Sequence, residues 1–154
     1  MSELRRTLGN FSSIVCFKTL VVGIEETLGA AAAGVALKGA GRKRGKQLAE
    51  SLGFGKQSVS LDEAATAMAK ALGNEGTHLC LVDSITERNG NYYVALNETV
   101  CSAGEPQGST RELSFTLGAV HGALEVVLHK KLRAKQVGSV LRGDSADIIE
   151  FVEA

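Results

Sequence analysis

The chain has no tryptophan, two tyrosines, one proline and three cysteines in 154 residues. It also lacks any excess of charge, with 17 basic and 17 acidic side chains. Each scarcity excludes something. Balanced charge and few aromatics argue against a nucleic-acid or anionic-membrane surface, which needs a basic excess and rings to stack on bases. Cys16, Cys80 and Cys101 are isolated and odd in number, with no C-x-x-C pair. They form neither a disulfide framework nor a zinc knuckle, and they suit a reducing compartment. No apolar run approaches the roughly 18 residues of a membrane span. Glu3, Arg5 and Arg6, with Lys18 interrupting the apolar stretch that follows, do not fit a secretory signal. The expectation is one soluble, cytoplasmic domain over residues 1–154, long enough to bury a core.

What is present in quantity is glycine, 18 residues, and the most informative cluster is Ala40-Gly41-Arg42-Lys43-Arg44-Gly45-Lys46. A phosphate-binding loop needs four residues between its first glycine and Gly-Lys, followed by Ser or Thr. Here three residues separate Gly41 from Gly45, and Gln47 follows Lys46. A dinucleotide fingerprint needs a preceding strand and another spacing, whereas an alanine-rich helical run precedes this segment. Read as helix, Gly41 and Gly45 share one face and let a neighbouring element approach closely. Arg42, Lys43 and Lys46 then point into solvent. Helical glycines each cost about 1 kcal/mol relative to alanine, a cost that close packing must offset.

Helix is predicted from Ser12 to Ala36, broken near Gly29, which caps the first segment. Phe17, Leu20, Val21, Ile24 and Leu28 recur at three and four residues. Ile14, Val15 and Val22 widen that face, so the first helix is expected to be buried on most sides. A second helix runs from about Ala30 to Leu52. A third spans Leu61 to Leu72, capped by Ser60 or Asp62, with Ala65, Met68, Ala69 and Leu72 inward and Gly73 at its end. From Thr77 the period becomes two: His78–Glu87 and Asn91–Val100 flank Asn89-Gly90, the favoured type I′ hairpin dipeptide. A polar loop, Ser102–Thr110, precedes a long helix from about Glu112 to His129 with Leu113, Leu117, Val120, Leu124 and Val127 on its apolar face. Lys135–Leu141 and Asp147–Val152 read as a second hairpin turning at Gly143-Asp144. The order helices-hairpin-helix-hairpin is an α+β fold, helices packed on an antiparallel sheet.

Few side chains suggest chemistry. His121, Glu125 and His129 lie on one helix face, but the two histidines stand about 12 Å apart along the axis, too far to share an ion. Adjacent pairs remain feasible as metal ligands or as local ion pairs. Cys80, inside an apolar strand, reads as a buried hydrophobe, and Cys101, at a strand end, as the more exposed thiol. Arg142-Gly143-Asp144 is accounted for by a turn. No catalytic constellation is visible.

Several segments together resemble a known family. They are Leu28-Gly29, the Ala-Gly-Arg-x-x-Gly-x-x-Leu-Ala pattern over Ala40–Ala49, a hairpin, Phe-x-x-Gly-x-x-x-Gly over Phe115–Gly122, a basic strand ending in Arg-Gly-Asp-Ser, and a closing Ile-x-Phe. The pattern, from about Phe17 to Phe151, looks like the 4-vinyl-reductase-type, or hydrocarbon-binding, domain, related in fold to core subunits of trafficking-particle tethering complexes. The resemblance implies a small-molecule-binding or scaffold module that dimerises through its helices, with members linked to chlorophyll synthesis and tetrapyrroles. The cysteines many members carry are missing: Gly143-Asp144-Ser145-Ala146-Asp147-Ile148-Ile149 stands where their pattern ends in cysteine and phenylalanine. No nicotinamide or flavin site supports a reductase. Two readings remain. One is a non-enzymatic binder of an apolar or tetrapyrrole-like ligand, held between Phe17, Leu20, Val21 and Ile24 of the first helix and Phe115, Val120, His121 and Leu124 of the long helix, with His121 as an axial ligand. The other is a homodimeric scaffold with a filled core that acts through protein partners.

Overall fold

Glycines decide where the helices of this chain end and how closely they pack. A computed structural model describes residues 14–154; the predicted helix start at Ser12 lies outside the described residues. Helix α1, Ile14–Leu28, is followed after one residue by α2, Ala30–Ser51. The residue between them is Gly29, at φ +81°, a backbone conformation that L side chains rarely adopt. Its N–H donates to the Glu25 carbonyl at 2.9 Å and so closes α1, and the same residue stands at the start of α2. Helix α3, Leu61–Leu72, begins with a complete capping box: the Ser60 hydroxyl accepts from the Glu63 N–H, and the Glu63 carboxylate accepts from the Ser60 N–H at 3.0 Å. Each bond satisfies a donor that the helix start leaves open.

Strands β1, Leu81–Arg88, and β2, Asn91–Asn97, form the first hairpin. Asn89 and Gly90 both have positive φ, 52° and 80°, as a type I′ turn requires. Helix α4, Phe115–Leu128, then leads to β3, Leu132–Gly138, and β4, Asp147–Glu153. All pairings are antiparallel, and the sheet order is β1-β2-β4-β3. The α+β class is as expected: helices packed on an antiparallel sheet built from two hairpins. The hairpins join through β2 and β4, where Val94 faces Ile149 in register.

Three expectations shift. Strand β3 starts at Leu132 rather than Lys135 and stops before Val140–Leu141, which lie in a 3-10 turn, Val140–Arg142. The Ser139 hydroxyl accepts from the Leu141 N–H, and Asp144 accepts from the Ser139 N–H at 2.7 Å. Those side-chain bonds replace the ladder that strand pairing would need. Helix α4 omits the predicted first turn, because Leu113 stays extended and its N–H donates to Gln136 Oε1 at 2.8 Å. The helix enclosed on most sides is α4 and not α1: ten of its residues are buried, whereas in α1 only Val21 is.

Helix α4 lies against α2 with main chain touching main chain. A Cβ built on Gly41 would fall 2.2 Å from the Phe115 carbonyl oxygen, and one on Gly45 1.9 Å from that of Ala119. The fit is reciprocal, since Cβ atoms on Gly118 and Gly122 would fall 2.1 and 2.0 Å from the carbonyl oxygens of Lys38 and Arg42. Two four-residue glycine spacings thus interlock, and the close approach predicted for Gly41 and Gly45 is observed. Beyond this seam, the core between α3, α4 and the sheet is filled by Met68, Leu96, Leu124, Ile149 and Phe151, each at most 0–1% exposed.

Candidate ligand-binding site

The seam brings the start of α4 beneath α1, and there two rings meet. Phe17 packs edge-on against Phe115, with centroids 5.0 Å apart and planes at 75°, a favourable aromatic geometry. Both rings bridge two apolar clusters: the main core and a smaller one of Val21, Ala33 and Leu37. Beside them opens a cleft of about 170 Å³, walled by Ile14, Phe17, Leu72, Leu79 and Phe115. Arg44 of α2 and Thr77 of the α3–β1 connection are its polar lining residues.

The residues expected to line one site divide among five places. Phe17 and Phe115 line the cleft. Val21 and Ile24 belong to the small cluster between α1 and α2, with Val21 fully buried. Leu20 is 57% exposed on the outer face of α1. Val120 and Leu124 are fully buried in the main core, away from any opening. Ile14, Leu72, Leu79, Arg44 and Thr77 went unassigned by sequence reasoning. Leu72 and Leu79 flank the Gly73–Gly76 turn, and that chain reversal was the one signal that pointed to them.

His121 sits apart from the cleft, toward β3. Its Nε2 lies 2.8 Å from the Leu132 carbonyl oxygen, to which it donates, and its ring leans on Phe151 with centroids 5.7 Å apart. Burial holds its pKa below the ordinary value, while the bond to Leu132 works the other way. An axial-ligand role would have to break the Nε2 bond or use the other ring nitrogen.

Beside His121 is the one buried carboxylate of α4. Arg42 grips Glu125 with two bonds, Nε to Oε2 at 2.9 Å and Nη2 to Oε1 at 2.5 Å. The Leu132 N–H donates to Oε1 at 3.0 Å, and Lys46 Nζ stands 3.4 Å from Oε2. Burial alone would raise the Glu125 pKa, but the Arg42 and Leu132 bonds and the Arg42 charge outweigh it and bring it down to about 2. Arg42 and Lys46 therefore do not simply point into solvent. They partner a group on α4 that stands 83 residues from Arg42 in sequence. The arrangement is an electrostatic clamp along the glycine seam.

Cys80 is buried as expected, and burial, with Cys101 and Asp83 nearby, pushes its thiol up to about 12. Cys101, expected to be the exposed thiol, is 1% exposed. The reversal has a physical cause: the turn after β2 folds inward because the buried Asp147 carboxylate accepts from Thr99 at 2.7 Å and Ser102 at 2.8 Å. Asp147 also accepts from the Val140 N–H at 3.0 Å and so pins two loops together. Cys16 is the exposed cysteine. Among the described residues no three His, Cys, Asp or Glu side chains gather as a metal-binding group. Nor, among them, is any helix long and apolar enough to cross a membrane.

A larger opening of about 470 Å³ lies where the α1–α2 junction meets residues 109–114. Of its charged groups, Glu25 and Arg111 pair with each other. Arg111 also meets Glu105 at 2.9 Å, and Lys18 reaches the same Glu105 oxygen at 2.9 Å. The Lys18 hydrogen bond chiefly holds the Glu105 carboxyl below its usual value. This network ties α1 to the loop that precedes α4. It is a polar brace along one side of the opening, whose other walls include Ala30, Ala31, Val35 and Leu113.

The fold has known counterparts. The phenol-responsive sensory domain of the transcription activator PoxR, crystallised with phenol, superposes with a TM-score of 0.66 at 14% identity, over 92% of this chain and 74% of that one. A trafficking protein particle complex subunit 3 from Naegleria fowleri, covalently bound to palmitic acid, superposes with a TM-score of 0.54 at 16% identity, over 92% and 97%. At these identities the likeness is one of fold, and the fold relationship to trafficking-particle subunits holds. The sequence matches no family model, and it matches no curated protein.

Proposed function

We propose that this chain is a non-enzymatic domain of the hydrocarbon-binding type that takes up a small apolar molecule in the cleft beside Phe17 and Phe115. One observation carries the reading: an apolar-walled cleft of about 170 Å³ stands where α1, α4 and the α3–β1 connection meet. An engineered apolar cavity of about 150 Å³ in another protein stays dry and binds benzene, so a single ring fits such a space. Clefts for drug-sized molecules run to roughly 300–1,000 Å³. The cleft therefore favours a single-ring or short-chain ligand. A tetrapyrrole, in the pigment-handling role implied by the resemblance, requires α1 to swing outward about Gly29. The phenol in one counterpart and the palmitic acid in the other agree with an apolar ligand. Neither Phe17 nor Phe115 offers acid–base or nucleophilic chemistry, so the role proposed is binding.

Titration of the isotope-labelled chain with toluene and with phenol, followed by amide chemical shifts, tests this. The expected result is saturable change confined to residues near Ile14–Phe17, Leu72–Leu79 and Phe115, with Kd on the order of 0.1–1 mM for a ligand of so few atoms. Ile14→Trp, which plugs the cleft, abolishes it. Absence of saturable shifts for both compounds refutes the reading.

A second reading, the homodimeric scaffold, is favoured by the outer face of the first two helices. Val15, Leu20, Leu28 and Val35 are 73%, 57%, 57% and 77% exposed, and Leu20 and Leu28 share one side of α1 with Thr27 and Gly23. Val21 is fully enclosed within the protomer and so is not available as a dimer contact, and Phe17 is half-buried against Phe115. A twofold interface would use the outer residues instead.

A further inference from the structure

We infer that the ligand of this cleft is a small organic acid, its apolar body against Phe17 and Phe115 and its carboxylate on Arg44; this rests on the binding reading above. Arg44 is out of place on its helix. Leu37, Gly41 and Leu48, at seven and three residues before it and four after, are all buried, so Arg44 lies on the stripe that α2 turns inward. Yet it is exposed. An arginine in that position lays its apolar stem along the wall and keeps the guanidinium at the mouth.

Four cations near the seam are satisfied, Lys18 by Glu105, Arg42 and Lys46 by Glu125, and Arg111 by Glu25, whereas Lys38 and Lys43 of α2 lie outside the cleft. Arg44 makes no hydrogen bond or ion pair among the described residues, and the Thr77 hydroxyl, the other polar group on the cleft, makes none either. Among the described residues no acidic side chain lines the cleft. Two donors without partners stand over an apolar floor. That arrangement complements an amphiphile with an anionic head, because a planar guanidinium meets a carboxylate through two parallel bonds. A neutral hydrocarbon would leave the guanidinium to water.

The test compares benzoate, its neutral isostere benzamide, and toluene on the full chain by calorimetry and amide shifts. Wild type, Arg44→Gln and Arg44→Lys are measured at low and high salt. Benzoate is expected to bind the wild type about tenfold more tightly than benzamide, as one charge-assisted contact at a partly hydrated rim provides. Arg44→Gln should erase that preference and leave toluene within about twofold, whereas Arg44→Lys keeps part of it. Raising salt should narrow the preference. Benzamide binding as well as benzoate overturns the inference, as does an Arg44→Gln loss that falls equally on all three compounds. If toluene binds and benzoate does not, the acid inference fails and the apolar cleft stands. If none of the three binds, the cleft reading itself fails and takes this inference with it.

Discussion

Replacing Gly45 by alanine adds one methyl group, and the structure gives it nowhere to go. The new Cβ would lie 1.9 Å from the Ala119 carbonyl oxygen and 2.9 Å from the Ala123 nitrogen. Carbon–oxygen contacts of this kind sit at about 3.3 Å or beyond, so α2 and α4 must part by roughly 1.4 Å. No side-chain rotation relieves the clash, because both opposing atoms are main chain. Parting the helices also unpacks Gly118 and Gly122 and stretches the Arg42–Glu125 pair. Overpacking of this severity costs about 3 kcal/mol, and the gain in helix propensity returns about 1 kcal/mol. The net loss is about 2 kcal/mol, or roughly 4–8 °C in Tm for a domain of this size. Gly39→Ala supplies the control in the same helix: nothing lies within 4 Å of its Cβ. It should stabilise by about 1 kcal/mol through propensity alone and raise Tm by roughly 2–4 °C. Thermal and urea unfolding of both variants decide the matter. If Gly45→Ala leaves Tm unchanged or raises it alongside Gly39→Ala, the main-chain seam is not what holds α2 to α4.

Two other outcomes are expected. The folded-state pKa of Glu125 is lowered from 4.5 to about 2, so its contribution is full above the unfolded value and is lost as pH falls through that window. Wild type should lose on the order of 2–3 kcal/mol more than Glu125→Gln between pH 6 and pH 2, measured by urea unfolding; equal losses would show that the clamp adds nothing. The outer face of α1 and α2 should make the chain a dimer at micromolar concentration by light scattering, and Leu20→Glu combined with Leu28→Glu should make it monomeric with unchanged circular dichroism. A monomeric wild type contradicts that interface.

Local signals were legible in the sequence where chemistry is local. Ser60, one of the two caps expected for α3, and Asn89 with Gly90 act within four residues and formed as the sequence indicated, although Glu63, which completes the cap, was not named. The Gly41–Gly45 face was legible as a close approach, but its partner was not. Gly118 and Gly122 were visible only as a spacing inside an apolar helix, and nothing local tells a glycine in contact from a glycine in solvent. Arg42 read as solvated because its carboxylate partner is 83 residues away, beyond any periodicity. Cys101 was misjudged for the same reason, since the Asp147 that folds its turn inward lies on the last strand. Within the candidate site, Phe17 and Phe115 were named from apolar spacing. The walls contributed by Leu72 and Leu79 depend on how α3 meets β1, which spacing along a single helix cannot convey.

A seam of main chain against main chain is indifferent to most of what evolution does to a sequence. At Gly41, Gly45, Gly118 and Gly122 it demands only the absence of a side chain. Exposed positions on the two helices, away from the Arg42–Glu125 clamp and the buried face of α4, are free to drift without altering how the helices meet. The outer surface and the cleft at the start of α4 can therefore be rewritten for a new ligand or partner while the scaffold keeps its shape, like a hinge pin that outlasts successive doors.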